Sequence, residues 1–110
     1  VDEQMVGPDL VLSFARENDR AVLAARGELD AYSAPALDEH VARLLGEDAR
    51  TIVLDLSETA FLDSSGLRAI LTAQRRLSAA DGQLVLRAPS EPVSRLLEIT
   101  GLTDHFTIED

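Results

Sequence analysis

The stretch TIVLDLS, Thr51 to Ser57, starts β-branched and is almost continuously apolar. That is the pattern of a strand covered on both faces, which belongs at the centre of a largely parallel sheet. Parallel neighbours can be reached only through long crossovers, usually helical, and the flanking sequence supplies them. Upstream, Leu37, Val41, Leu44 and Leu45 share one helical face, with Ser33 as a candidate cap, Pro35 near the first turn and Gly46 as a stop. Downstream, Leu67, Ile70, Leu71, Gln74 and Leu77 keep a helical period, Arg75 and Arg76 lie towards the dipole's negative end, and Ala80-Asp81-Gly82 closes the segment.

The remaining segments fit around that centre. Leu10, Leu12 and Phe14 alternate with Val11, Ser13 and Ala15, the polar turn ENDR (Glu17 to Arg20) follows, and Ala21 to Leu29 forms a second strand, so the two read as an antiparallel hairpin. Gly27 marks the end of that strand or a bulge in it. QLVLRAP (Gln83 to Pro89) predicts a further strand. A third helix is predicted with Ser90 as its cap, Val93, Leu96 and Leu97 inward and Gly101 as its end, followed by a short last strand from His105 to Glu109. The expected order is β-β-α-β-α-β-α-β. It describes an α/β domain with a mostly parallel sheet of about five strands, an N-terminal hairpin and right-handed helical crossovers. Residues 1–110 are expected to form one domain, with 1–9 a loosely ordered N-terminal segment.

Charge removes whole classes of function. Twenty acids against ten bases give a formal net charge of −10, which repels nucleic acid and an anionic membrane surface alike. Only Phe14, Phe61, Phe106 and Tyr32 could stack on bases. All ten bases are arginine, so Schiff-base chemistry and a phosphate-gripping lysine are excluded; the absence of cysteine excludes thiol catalysis, disulfides and thiolate metal sites. The acidic start VDEQMVGPDL lacks a signal peptide's basic start and apolar centre, and no run of about 18 apolar residues occurs, so the expected location is the cytoplasm.

The stretch TAFLDSSGLRAIL, Thr59 to Leu71, places two adjacent serines at the predicted start of the second helix. Asp63 or Ser64 could cap that helix. Capping needs neither two serines nor a glycine, and Ser65 beside Gly66 would be approachable from solvent, as a modification site must be. A phosphate there would meet free backbone N–H groups and the positive end of the dipole. A catalytic serine fares worse. The G-x-S-x-G elbow is absent, and the two histidines, His40 in the first helix and His105 at the last strand, read as surface or half-buried side chains. No His/Cys cluster or calcium loop suggests a metal. The strand-end acids Asp30, Asp55 and Asp63 suggest a phosphate receiver, but that chemistry uses a lysine.

Three blocks, GELDAYSAPAL from Gly27, TIVLDLSETAFLDSSGLRAIL from Thr51 and SEPVSRLLEITGLTDHF from Ser90, together resemble the STAS domain, and within it the bacterial anti-sigma factor antagonists. The resemblance covers Leu10 to Glu109 and implies a non-catalytic phospho-switch without a cofactor. It assigns Ser65 as the residue phosphorylated by an anti-sigma factor serine kinase of histidine-kinase-like ATPase fold. The unphosphorylated form would capture that kinase and release the sigma factor, and a PP2C-type phosphatase would reset the switch. Matched to the motif, Asp30, Asp63, Ser64, Gly66 and Leu67 are expected at the partner surface, together with Arg68, which stands where many members have a small residue. STAS domains also serve as scaffolds or ligand-binding subunits in stress-signalling, lipid-transport and anion-transport assemblies, which is the alternative reading.

Overall fold

The computed structural model describes residues 2–110; Val1 lies outside the described residues. Along the chain run strands β1 (Asp2–Val6), β2 (Leu10–Glu17) and β3 (Arg20–Leu29), helix α1 (Ala34–Gly46), strands β4 (Thr51–Asp55) and β5 (Thr59–Leu62), helix α2 (Ser64–Ala79), strand β6 (Gln83–Arg87), helix α3 (Glu91–Thr100), a 3₁₀ turn (Thr103–His105) and strand β7 (Thr107–Glu109). All seven strands join one sheet in the order β1-β2-β3-β4-β6-β7, with β5 beside β3. The pairings β1–β2 and β2–β3 are antiparallel and the other four are parallel. The mixed α/β sheet with its hairpin and helical crossovers is the expected one, and β4 sits at its centre.

Two strands exceed the expectation. For residues 1–9, where the sequence suggests a loosely ordered segment, the structure has β1, paired with β2 from Asp2↔Phe14 to Val6↔Leu10. Backbone pairing holds this edge strand, since its side chains are mostly exposed and show no apolar alternation. The other addition is β5. Beyond Ala24, where β4 ends, β3 continues and accepts β5 in parallel, with a register shift between Gly27 and Glu28. Gly27 makes this bulge possible: its φ is 120°, and a Cβ there would lie 2.0 Å from the Asp9 carbonyl oxygen.

The core lies on one face of the sheet. Leu12, Leu23, Ile52, Leu54 and Leu86 from the strands meet Leu37, Val41, Ile70, Leu77, Val93 and Leu97 from the helices in a single cluster. Burying each such side chain contributes roughly 1.5–3 kcal/mol. The opposite face is covered differently from the expectation for β4. Val22, Val53 and Val85 are cross-strand neighbours in one row and form a separate buried cluster to which no helix contributes. Four charged side chains extend across that row instead. Arg20 bonds Glu109 at 3.0 Å and Glu17 at 2.8 Å, and Arg87 bonds Glu17 at 2.9 Å and Glu109 at 2.8 Å. The arms of the arginines shield the valines while their heads stay wet.

These bonds also fix the ionisation of the four groups. Hydrogen bonds from Arg87 and then Arg20 hold the Glu17 carboxyl down at about 2. Arg20, and then Arg87, lowers Glu109, while Arg87 is raised, first by Glu17 and then by Glu109.

Candidate phosphoacceptor and docking site

Parallel pairing brings two acids to the same end of the sheet. Leu29 of β3 and Leu62 of β5 are register partners, so the chain leaves both strands side by side, at Asp30 and Asp63. The Asp63 amide donates to the Leu29 carbonyl at 3.3 Å, which ties the two exits together.

Asp63 then starts α2. Its backbone is extended, and its Oδ1 accepts the Gly66 amide at 3.0 Å, satisfying one of the first-turn donors that lack an intrahelical partner. The acid, rather than Ser64, is therefore the cap. Ser64 and Ser65 occupy the first two helical positions, the former exposed and the latter half-buried, and neither hydroxyl makes a hydrogen bond among the described residues. The serines are released from structural duty.

Gly66 and Leu67, expected at a partner surface, are both buried. A Cβ on Gly66 would stand 2.4 Å from the Leu29 carbonyl oxygen and 2.6 Å from Leu62 Cδ1, so the glycine lets the helix start press against the end of β3. Leu67, 7% exposed, packs in the main core. These two seat the serines, and the accessible surface is made by Ser64, Ser65 and Arg68 with Asp30 and Asp63 half-buried beside them.

Asp30 organises the facing turn. Its Oδ1 accepts the amides of Tyr32 at 3.0 Å and Ser33 at 3.1 Å. Ser33 makes no side-chain cap to α1; its buried hydroxyl donates to the Glu28 carbonyl at 2.9 Å and accepts the Asp30 amide at 3.0 Å. Gly46 is the last residue of α1, and the positive φ falls two residues later, at Asp48. Ser90 likewise precedes α3 without a side-chain cap, its hydroxyl donating to the Thr59 carbonyl.

A shallow groove separates the two helix starts. Ala34, Pro35 and Asp38 of α1 line one side, and Ser65, Arg68 and Thr72 of α2 the other. Arg76 holds the Asp38 carboxylate through two hydrogen bonds, at 3.1 and 3.3 Å. Arg68 is exposed and has no ion pair among the described residues. Tyr32, one of the four aromatic rings, stands 74% exposed next to Asp30, and its ring edge would meet a Cβ on Gly7 at 2.5 Å.

Other hydroxyls and bases stand apart. Thr59 is fully buried and donates to the Ala25 carbonyl at 2.7 Å. His40 Nδ1 donates to the Ala36 carbonyl at 2.8 Å, and His105 packs edge-on against Phe106 rather than beginning the last strand, so neither is bonded to a serine. Asp55 accepts the Ser57 amide and hydroxyl in its own loop. No group of three or more His, Asp or Glu side chains able to hold a metal occurs among the described residues, and no helix there is long and apolar enough to cross a membrane. The arrangement presents two serine hydroxyls at the start of α2, neither bonded to a histidine among the described residues.

Known proteins resemble this chain in sequence and in fold. A family model described as STAS domain matches residues 14–110. The chain is 34% identical over 95 residues to the anti-sigma-B factor antagonist of Listeria monocytogenes, covering 86% of this chain and 83% of that one. It is 35% identical over 84 residues to the anti-sigma-B factor antagonist of Staphylococcus aureus, covering 76% and 78%. Among solved structures, an anti-sigma factor antagonist from Mycobacterium paratuberculosis superposes with a TM-score of 0.82 at 25% identity, over 96% of this chain and 90% of that one.

Proposed function

This chain belongs to the STAS domain family, and on that premise we propose that it is an anti-sigma factor antagonist: unmodified it captures an anti-sigma factor and frees a sigma factor, and a phosphate on Ser65 ends the capture. The partner is a serine kinase of histidine-kinase-like ATPase fold, and a PP2C-type phosphatase restores the hydroxyl. The antagonist itself catalyses nothing and works in the cytoplasm.

One observation carries this reading. Asp63 takes over the capping of α2, which leaves two unbonded hydroxyls on a helix start that Gly66 holds firmly against β3. The Ser65 hydroxyl would attack the γ-phosphorus of ATP held by the kinase; an O–P bond forms, the bond to the ADP oxygen breaks, and the proton passes to a base on the kinase. This chain supplies position only. Docking uses Asp30, Asp63, Ser64 and Arg68, with Gly66 and Leu67 acting through the placement of the serines.

The added phosphate carries about 1.5 to 2 negative charges, which free amides and the helix dipole can accommodate without refolding the domain. The partner loses its fit. An unpaired interfacial charge costs ~3 kcal/mol or more, so affinity should fall about a hundredfold. With the cognate kinase and Mg-ATP, label should be lost in Ser65→Ala and kept in Ser64→Ala. Label mapping to Ser64, or kinase affinity unchanged after stoichiometric phosphorylation, would refute the proposal.

A further inference from the structure

Ser65 and Arg68 are three residues apart on α2 and line the same groove. At that spacing their Cβ atoms lie about 5–6 Å apart on one helix face, within reach of a guanidinium. Every other charged group around the groove is already engaged. Asp38 is held by both ends of the Arg76 fork, the Asp30 carboxylate by the turn amides, and Asp63 by the Gly66 amide. Along α2, Arg75 donates to the Thr72 hydroxyl at 3.2 Å. Arg68 alone has no partner in this set, although Asp38 lies across the groove from it.

We infer that Arg68 is an internal counter-ion that closes onto a phosphate at Ser65, and that the Asp38–Arg76 pair keeps it free to do so; the inference rests on Ser65 being the phosphoacceptor. Its basis is electrostatic. A dianion at Ser65 arrives among three carboxylates, on Asp30, Asp38 and Asp63, and the helix N-terminus offsets that repulsion only in part. A guanidinium one turn away gives two charge-assisted hydrogen bonds to phosphate oxygens in a fixed planar fork.

The switch then changes the docking face in two ways. Phosphorylation adds negative charge at Ser65, and it also withdraws the cation of Arg68 from the surface the partner reads. A small residue at position 68 would allow only the first change. Arg68 acts here as a positioning residue for the phosphate.

The test bypasses the kinase. Phosphoserine is installed at position 65 during translation, and the phosphate's second ionisation is followed by ³¹P NMR in the full chain carrying Arg68, Arg68→Gln, Arg68→Lys or Arg76→Gln, with amide spectra confirming the fold of each. Contact with Arg68 favours the dianion, so the Arg68 protein should titrate about 0.5 to 1 unit below Arg68→Gln, with Arg68→Lys between them. In Arg76→Gln the released Asp38 competes for Arg68, and the midpoint should move towards that of Arg68→Gln. Equal midpoints for the Arg68 and Arg68→Gln proteins would overturn the inference. An Arg76→Gln midpoint equal to that of the Arg68 protein would overturn the role given to the Asp38–Arg76 pair. Failure of kinase labelling at Ser65 would sink the proposed function and leave this measurement standing.

Discussion

Two helical glycines make opposite predictions for the same substitution. By helix propensity alone, glycine to alanine inside a helix stabilises by about 0.5–1 kcal/mol. Gly46, the last residue of α1, gains only part of that, but it has room for the methyl: a Cβ there finds nothing within 4 Å. At Gly66 the new methyl would lie 2.4 Å from the Leu29 carbonyl oxygen, which is backbone in the sheet and cannot rotate away. An ordinary contact requires the start of α2 to retreat by nearly 1 Å, which stretches the Asp63–Leu29 link. Overpacking of this kind costs about 1–3 kcal/mol, more than the propensity gain. Gly66→Ala should therefore lower the urea midpoint by about 1 M for a domain with a slope near 1–2 kcal/mol/M, while Gly46→Ala should raise it slightly, both with unchanged slope. Amide shifts in Gly66→Ala should concentrate at Leu29, Asp30 and Asp63 to Leu67. A Gly66→Ala protein as stable as Gly46→Ala would refute the claim that close backbone approach fixes this residue.

Further outcomes follow from the caps and the ion network. Asp63→Ala should cost about 1 kcal/mol in chemical denaturation and Ser64→Ala much less, since the acid caps α2; equal losses would return the cap to Ser64. Asp30→Ala should cost on the order of 1–2 kcal/mol, because the Tyr32 and Ser33 amides lose their acceptor. The Glu17 carboxyl is depressed to about 2 in the folded chain, so its contribution is full above the unfolded value near 4.5 and is lost as pH falls towards 2. Acid titration of stability should accordingly be shallower over that window in Glu17→Gln, and added salt should weaken the contribution. An identical acid profile for both proteins would rule out the network as its source.

Much of this was legible because it rests on period. The alternation of β2 and the 3.6-residue spacing of α1, α2 and α3 reflect side chains that face one core, and the unbroken apolar run of β4 reflects burial on both faces of the sheet. β1 and β5 were not legible for the same reason. DEQMV has no apolar period because its side chains face water and its backbone does the pairing, and TAFL is four residues with Phe61 exposed. Caps were half-legible: sequence narrows a helix start to a few polar residues, but which of them bonds depends on the exit direction of the preceding strand. Thus Asp63 prevailed over Ser64, Asp30 organised the turn assigned to Ser33, and Ser90 turned towards Thr59. At the candidate site the block puts both serines at the start of the second helix, as observed, whereas the burial of Gly66 and Leu67 depends on how closely α2 approaches β3. The outer face of β4 is covered by arginine and glutamate, and only Glu17 and Arg20 lie in one local window, whereas Arg87 and Glu109 come from distant strands.

The double use of β3 has a consequence in time. Its pairing with β2 closes through a two-residue turn, an event of about 1–10 μs for an isolated hairpin. Pairing with β5 must wait until α1 and β4 have been traversed, and such non-local closures are the slow steps of folding. Gly27, the last residue of β3 paired with β2, thus belongs to the early unit, while the Leu29–Asp30 exit and the serines come together only when β5 docks. A nascent or damaged chain still carries Ser65 but lacks the juxtaposed exits of β3 and β5. On the proposed docking surface, which needs both strand ends at once, such chains would be passed over, so capture would also test that the chain has finished folding.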